Sequence, residues 1–141
     1  MIDVKTGHLL IDDQHTITPQ TSLATIQQWQ LGASQESRAM GNGIHWVDVK
    51  NLQIDQLYFN ISFLFMEQRI DGCTLTFQDQ PYEKSPSWDS WSKEVEEKNL
   101  IRFNNWLDEQ FGAVRELDWG KIEAFYDVKS AGSSIRLKYV A

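Results

Sequence analysis

The chain has few of the residues from which small proteins build disulfides and metal sites. Cys73 is the only cysteine among 141 residues, so neither an intrachain disulfide nor a cysteine-based zinc site is available. A lone cysteine is typical of proteins in a reducing compartment. The three histidines, His8, His15 and His45, complete a small set of metal-binding side chains. We therefore predict no metal and no other cofactor.

Long apolar runs and targeting patterns are also missing. The longest apolar-rich stretch, Leu57–Met66, is much shorter than the roughly 20 apolar residues of a membrane-spanning helix. Residues 1–5 contain no basic patch followed by an apolar run, which argues against a secretory signal. These absences predict a cytoplasmic protein that has no membrane partner.

Positive charge is scarce, because 13 Lys and Arg stand against 20 Asp and Glu, giving a net charge of −7. Residues 1–82 hold 4 basic and 9 acidic residues, and residues 83–127 hold 6 basic and 11 acidic residues. Residues 128–141 hold 3 basic residues and no acidic residue. An acidic surface repels phosphate, which disfavours nucleic acid as a partner and favours a basic protein. The simpler interpretation is that the charge keeps a small protein in solution.

Motifs that carry catalysis are absent from the sequence. No Gly-x-Ser-x-Gly elbow occurs, and Gly41-Asn42-Gly43 lacks the residues that complete a phosphate-binding loop. Cys73 alternates with apolar residues, which predicts a core thiol and not a nucleophile. We interpret Asp12-Asp13-Gln14-His15 as a polar turn between two strands, and we expect His45 at a sheet edge. The protein is therefore predicted not to be an enzyme.

The apolar residues that are present predict secondary structure most clearly over residues 57–79. Strict alternation there indicates two adjacent strands. A two-residue turn at Asp71-Gly72 would place the two apolar sets on opposite faces. A three-residue turn, Ile70-Asp71-Gly72, pairs Phe65 with Phe77 and keeps both sets on one face, so we prefer it.

Two helices are predicted around this strand pair. In the first, Thr21 or Ser22 caps a short helix that Gly32 ends. Residues 32–43, with three glycines and few large apolar groups, are predicted to form a loop. The second helix spans residues 90–112 and is followed by strands and a turn at residues 130–133. Its core stripe, flanked by Trp106, consists of Leu100, Phe103, Leu107 and Phe111.

The order of these elements predicts the α+β class. We expect a single domain over residues 1–141, built on a mainly antiparallel sheet of about six strands. One long and one short helix pack on this sheet.

One surface of the long helix is predicted to bind a partner. At about 100° per residue, Ile101 points away from the apolar stripe. Its neighbours on that side of the helix are Glu94, Glu97, Asn105 and Asp108. An apolar residue with an acidic rim is typical of a protein-binding surface. The plain alternative is a single exposed Ile, which is common on protein surfaces.

Tryptophan is abundant, with six residues in the chain. We expect most of them in the core or covering the sheet. Trp88 and Trp91, in a Ser- and Asp-rich segment, are expected to be partly exposed, as tryptophans at binding hot spots are. A cleft rich in Trp would suit a small ligand. The full set is Trp29, Trp46, Trp88, Trp91, Trp106 and Trp119.

The C-terminal part of the chain resembles a known class of proteins. The pattern consists of Trp106-Leu107, Gly112, Trp119-Gly120-x-Ile122 and Tyr126-Asp127-x-Lys129-Ser130-x-x-Ser133-x-Ile135-x-Leu137-x-Tyr139. It is similar to the C-terminal ends of small bacterial immunity proteins from polymorphic-toxin and contact-dependent inhibition systems. The pattern concerns packing, and it assigns no toxin-contacting residue.

The resemblance implies a small cytosolic protein that binds and neutralises a toxin domain, often a basic nuclease. We therefore predict a non-catalytic, protein-binding inhibitor of the immunity type. Two alternatives stay open: a secretion chaperone or adaptor, which is expected to dimerise, and a small-ligand-binding protein or enzyme that uses a Trp-rich cleft.

Overall fold

The computed structural model describes residues 1–83, 93–128 and 132–140. Within these ranges the chain forms two helices and nine strands in two antiparallel sheets. The α+β class is thus confirmed, with more strands than the six or so expected. The elements are β1 Leu9–Leu10, β2 Thr16–Ile17, α1 Leu23–Gln28, β3 Ser34–Gly41, β4 Ile44–Ile54, β5 Leu57–Met66, β6 Arg69–Gln78, α2 Lys93–Phe111, β7 Glu116–Leu117, β8 Gly120–Asp127 and β9 Gly132–Tyr139. The larger sheet has seven strands in the order β3-β4-β5-β6-β9-β8-β7.

Strands β3 to β6 form a meander joined by three two-residue turns. The turns are Asn42-Gly43, Asp55-Gln56 and Glu67-Gln68, and each contains a left-handed residue. Such turns match the twist of the strands that they join. The Asn-Gly pair is the strongest hairpin signal of the three, and it joins β3 to β4.

The turn predicted at residues 70–72 is wrong, because the chain turns at Glu67-Gln68, and Asp71 and Gly72 lie within β6, where a β-bulge at Asp71 shifts the pairing with β5 by one residue. Phe77 consequently lies opposite Phe59 and not opposite Phe65. Gly72 serves a different purpose: a Cβ atom there would lie 2.1 Å from the carbonyl oxygen of Leu137 on β9. The glycine therefore reflects the close approach of a neighbouring strand.

The loop predicted at residues 32–43 is also wrong, since Ser34–Gly41 form β3 along the outer side of β4. Every β3 residue except Gln35 is exposed. A strand that buries almost nothing needs no apolar alternation, so its sequence resembles a loop. Its order comes from backbone pairing with β4, which runs in register from Ser34 to Ala39.

One face of the large sheet carries the core, and α2 packs on it. Phe103, Leu107 and Phe111 are buried as predicted, while Leu100 and Trp106 are half-buried. Phe77 contacts the rings of Phe103 and Trp106, with centroids 5.0 and 5.4 Å apart. The predicted apolar sets of β5 and β6 share this face, and all of their members are buried except Leu57, which is half-buried. The buried members are Phe59, Ile61, Phe63, Phe65, Cys73, Leu75 and Phe77.

The ends of both helices are partly as predicted. Ser22 caps α1 by accepting a hydrogen bond from the Thr25 backbone amide. The helix ends at Gln28, and Gly32 is not its cap; a Cβ atom at Gly32 would lie 2.4 Å from the Lys50 carbonyl oxygen at the entry to β3. The φ of Gly112 is +65°, as suits the residue that follows α2.

The N-terminal segment is attached to the C-terminal strands. The Trp119 indole Nε1 donates to the Val4 carbonyl at 2.8 Å, and the Tyr139 hydroxyl donates to the Gly7 carbonyl at 2.7 Å. Gly7 lies flat against the Trp119 ring, where a Cβ atom would lie 2.4 Å from the ring. Residues 12–15 form the predicted polar turn, between β1 and β2.

Three further predictions concern single positions. His45 is not at a sheet edge, because β4 lies between β3 and β5. Trp88, Trp91, the predicted start of the long helix at residue 90 and most of the predicted turn at 130–133 lie outside the described residues. Neither described helix has the length and apolar character that crossing a membrane requires.

Candidate protein-binding surfaces

The five residues predicted to bind a partner all lie exposed on α2. Ile101 leaves 60% of its surface open to solvent, although it stands two residues from Phe103, which is buried. The apolar stripe of the helix therefore faces the sheet while Ile101 faces outward. We refer to Glu94, Glu97, Ile101, Asn105 and Asp108 as the helix patch.

Two of the three acids in the helix patch have ionic neighbours. Glu94 lies 3.6 Å from the Lys98 ammonium one turn later. Asp108 accepts a hydrogen bond from Arg115, which also donates to the carbonyl oxygens of Gly112 and Val114. Arg115 therefore satisfies carbonyl groups at the C-terminal end of α2, and Asp108 holds it there. Asp108 thus has a structural role besides its place in the patch.

The second surface is the sheet face opposite α2, which we call the open face. It was not predicted as a site. Its central row of side chains runs across six neighbouring strands, each residue directly opposite the next, and is entirely polar. The row consists of Glu36, Asp48, Ser62, Thr74, Arg136 and Glu123.

An ionic network anchors one end of this row. Arg38 donates to Asp48 through Nε and Nη2, the latter at 3.1 Å, and the Ser62 hydroxyl donates to the same carboxylate at 2.7 Å. Burial alone would raise the pKa of Asp48, but the hydrogen bonds from Arg38 and Ser62 outweigh it and hold that pKa below its ordinary value. Asp48 is therefore ionised at neutral pH.

Beside the polar row lies an apolar cluster. Trp46 is opposite Leu64, and Ile44 is opposite Met66, so all four side chains share the open face. The Arg38 guanidinium lies 5.9 Å from the centre of the Trp46 ring. Trp and Arg side by side are frequent at binding hot spots. Sequence reasoning missed this cluster, because the strand pattern places Trp46 in the core or over the sheet.

Two shallow depressions lie next to each other on the open face. One, of about 360 Å³, is lined by polar residues such as Glu36, Lys50 and Asn60. The other, of about 320 Å³, is lined by Trp46, Leu64 and Arg136 among others, and Thr74 borders both. Both volumes lie within the range of small-ligand sites, but the lining is flat sheet and not a deep cleft.

The described tryptophans do not converge on one cleft. Trp46 lies on the open face, while Trp106 packs on Phe59 and Phe77 at the other face. Trp119 contacts Phe111 and Tyr139, and Trp29 meets the ring of His15 edge-on at 4.8 Å. These positions give no support to a shared Trp-lined ligand site.

The groups able to do chemistry are dispersed. Burial raises the pKa of the Cys73 thiol to about 12, so the thiol is protonated in the fold, as a core residue should be. His15 contacts the exposed carboxylate of Asp12 at 2.9 Å, and this hydrogen bond lowers the pKa of Asp12. Across the residues that the structure describes, no three His, Cys, Asp or Glu side chains form a group that could hold a metal ion.

Searches for similar proteins found no matching family model, curated protein or solved structure. The resemblance to immunity proteins therefore remains a prediction. The described residues define an antiparallel α+β protein with two solvent-exposed surfaces, the helix patch and the open face.

Proposed function

We propose that this chain is a non-catalytic, immunity-type inhibitor that binds a basic toxin domain in the bacterial cytoplasm through the helix patch. The observation that carries the proposal is the position of Ile101, which is 60% exposed among Glu94, Glu97 and Asp108. An apolar anchor inside a charged rim is the arrangement expected of a protein interface.

The charge of the molecule supports a basic partner. A net charge of −7 attracts a cationic domain over long range and raises its association rate, especially at low salt. The buried stripe of Phe103, Leu107 and Phe111 fixes α2 on the sheet, so the patch is presented without a folding transition. Binding to such a rigid surface loses little conformational entropy.

The first test is capture of the partner with the tagged protein, followed by elution with salt. The product of the neighbouring gene is co-expressed as the candidate partner. We expect a one-to-one, salt-sensitive complex of this chain with a basic domain whose activity is blocked. An intact wild-type protein that neither binds nor inhibits that domain contradicts the proposal.

Once a partner is in hand, Ile101→Asp tests the anchor. We expect a loss of affinity of at least about tenfold, because the substitution places a charge at the centre of the interface. Val114→Asp is the matched control, since Val114 is 51% exposed and lies outside the patch. Isothermal titration calorimetry measures both variants. Equal affinities would exclude Ile101 as the anchor.

Charge reversal separates local contact from long-range attraction. The triple variant Glu94→Lys, Glu97→Lys and Asp108→Lys should abolish binding. A control triple reverses Asp55, Glu67 and Asp118, which are also exposed and give the same change in net charge. We expect the control to slow association only. If both triples weaken binding equally, the helix patch is not the interface.

A further inference from the structure

Strand β3 is an unusually exposed edge for a seven-stranded sheet. It is eight residues long, ends the strand order and pairs with β4 alone. It contains no proline, and its two charged side chains, Glu36 and Arg38, lie on the open face with their β4 partners Asp48 and Trp46. Native proteins usually protect such an edge, because its unpaired backbone groups accept another strand.

The sequence of β3 is self-complementary about Ser37. In an antiparallel pair of two copies centred on Ser37, Glu36 of each copy lies opposite Arg38 of the other. Registers centred on Glu36 or on Arg38 would instead place like charges opposite each other, which is unfavourable. A register shifted by one residue would join the covered face of one copy to the open face of the other. Among the registers that keep matching faces together, the one centred on Ser37 is the one that places Glu36 opposite Arg38 twice, and this double charge pair favours it.

Glu36 shows why this pairing is favourable. Within one copy it lies directly opposite Asp48, another acid, and the described residues provide no ion pair for its side chain. Arg38 uses Nε and Nη2 on Asp48, and its guanidinium has further N–H donors. In the pair, the Arg38 of the second copy would donate to Glu36 and would border the depression of about 360 Å³.

We infer that the protein forms a two-fold symmetric dimer by antiparallel pairing of β3 with β3 of a second copy, centred on Ser37. The pairing joins the two large sheets into one and leaves both helix patches free. The inference does not depend on the proposed function, although a dimer is also the assembly expected of the chaperone or adaptor alternative.

A disulfide cross-link tests the register directly. In Ser37→Cys, the two new thiols face each other across the two-fold axis at a Cα separation of about 4.5–5.5 Å, which suits a disulfide. Ser34→Cys is the matched control, exposed on the same strand but off the axis. The native Cys73 is buried and does not compete. Under mild oxidation we expect covalent dimer from Ser37→Cys and little from Ser34→Cys; equal yields overturn the inference.

Charge exchange provides a second test in solution. Sedimentation equilibrium of the full chain should show a dimer for the wild type and a dissociation constant raised at least tenfold in Glu36→Arg and in Arg38→Glu. A one-to-one mixture of these two variants restores opposite charges at both positions and should dimerise again. Circular dichroism checks that each variant is folded.

Other results would overturn the inference. A wild type that stays monomeric up to about 1 mM excludes a functional dimer. A dimer that both single variants retain unchanged uses another surface. The variant Ile101→Asp should leave the dimer intact, so failure of the helix patch and failure of the β3 pairing are separate outcomes.

Discussion

The two faces of the large sheet use the same strands for opposite purposes. On the covered face, Phe59, Phe63 and Leu75 are almost fully buried beneath the helical layer. On the open face, their sequence neighbours include Ser62 and Thr74, which border shallow depressions. Because side chains alternate along each strand, one residue contributes to stability and the next is available for recognition. The comparison indicates where substitutions should unfold the protein and where they should change its contacts.

The largest effect is expected where the covered face meets α2. Phe77→Ala removes a ring that is 3% exposed and packs on Phe103 and Trp106. We expect a loss of about 3–5 kcal/mol in the free energy of unfolding. Leu64→Ala, on the open face, should cost about 1 kcal/mol. Urea denaturation of both variants measures the difference, and equal losses would show that the open face is covered by something else.

A smaller effect is expected from the ionic network on the open face. Asp48→Asn weakens the bonds to Arg38 and Ser62 and should cost about 1 kcal/mol at pH 7. The pKa of Asp48 is lowered in the fold, so its contribution is present above the unfolded value of about 3.9 and is lost as pH falls through the folded pKa.

The stabilities of wild type and Asp48→Asn should therefore converge in acid. Thermal unfolding between about pH 3 and 7 tests this convergence. A constant difference across that range would mean that the loss comes from packing and not from the charge of Asp48.

The smallest effect concerns the access of a thiol reagent to Cys73 on the covered face, and it is measured on the wild type without any change in stability. The Cys73 thiol is buried and its pKa is raised to about 12, so a thiol reagent at pH 8 should not label the folded protein. In urea, one equivalent should react. Val114→Cys, at a position that is 51% exposed and away from β3, supplies a positive control under native conditions. Rapid labelling of Cys73 in the folded wild type would show that the covered face opens frequently.

The covered face could be predicted from the sequence, because buried positions carry apolar residues at the regular spacing of a strand or a helix. The alternation of Phe59, Ile61 and Phe63 and the helical spacing of Phe103 and Leu107 both correspond to buried positions. Strand β3 shows no such periodicity, since all of its residues except Gln35 are exposed. Gly72 gave a misleading turn signal, because the sequence does not reveal that another strand passes beside it.

The candidate surfaces were predictable to different degrees. The helix patch follows from the geometry of one helix, and its residues are exposed as the spacing of Ile101 from Phe103 implies. The open face depends on strand register: Arg38 meets Asp48 only after the β3–β4 hairpin has formed, and Trp46 meets Leu64 only after the β4–β5 hairpin has formed. No local pattern indicates which residues of neighbouring strands will be opposite.

The position of β9 has a consequence for the order of folding. It is the last strand of the described residues, yet it lies inside the sheet between β6 and β8. The meander from β3 to β6 requires only local pairing, whereas β9 and the bond from Tyr139 to Gly7 close a very long loop. We therefore expect the meander to form first, with the outer edge of β6 unpaired until the β8–β9 hairpin docks. During that interval, β6 is the point at which two unfinished chains are most prone to join incorrectly.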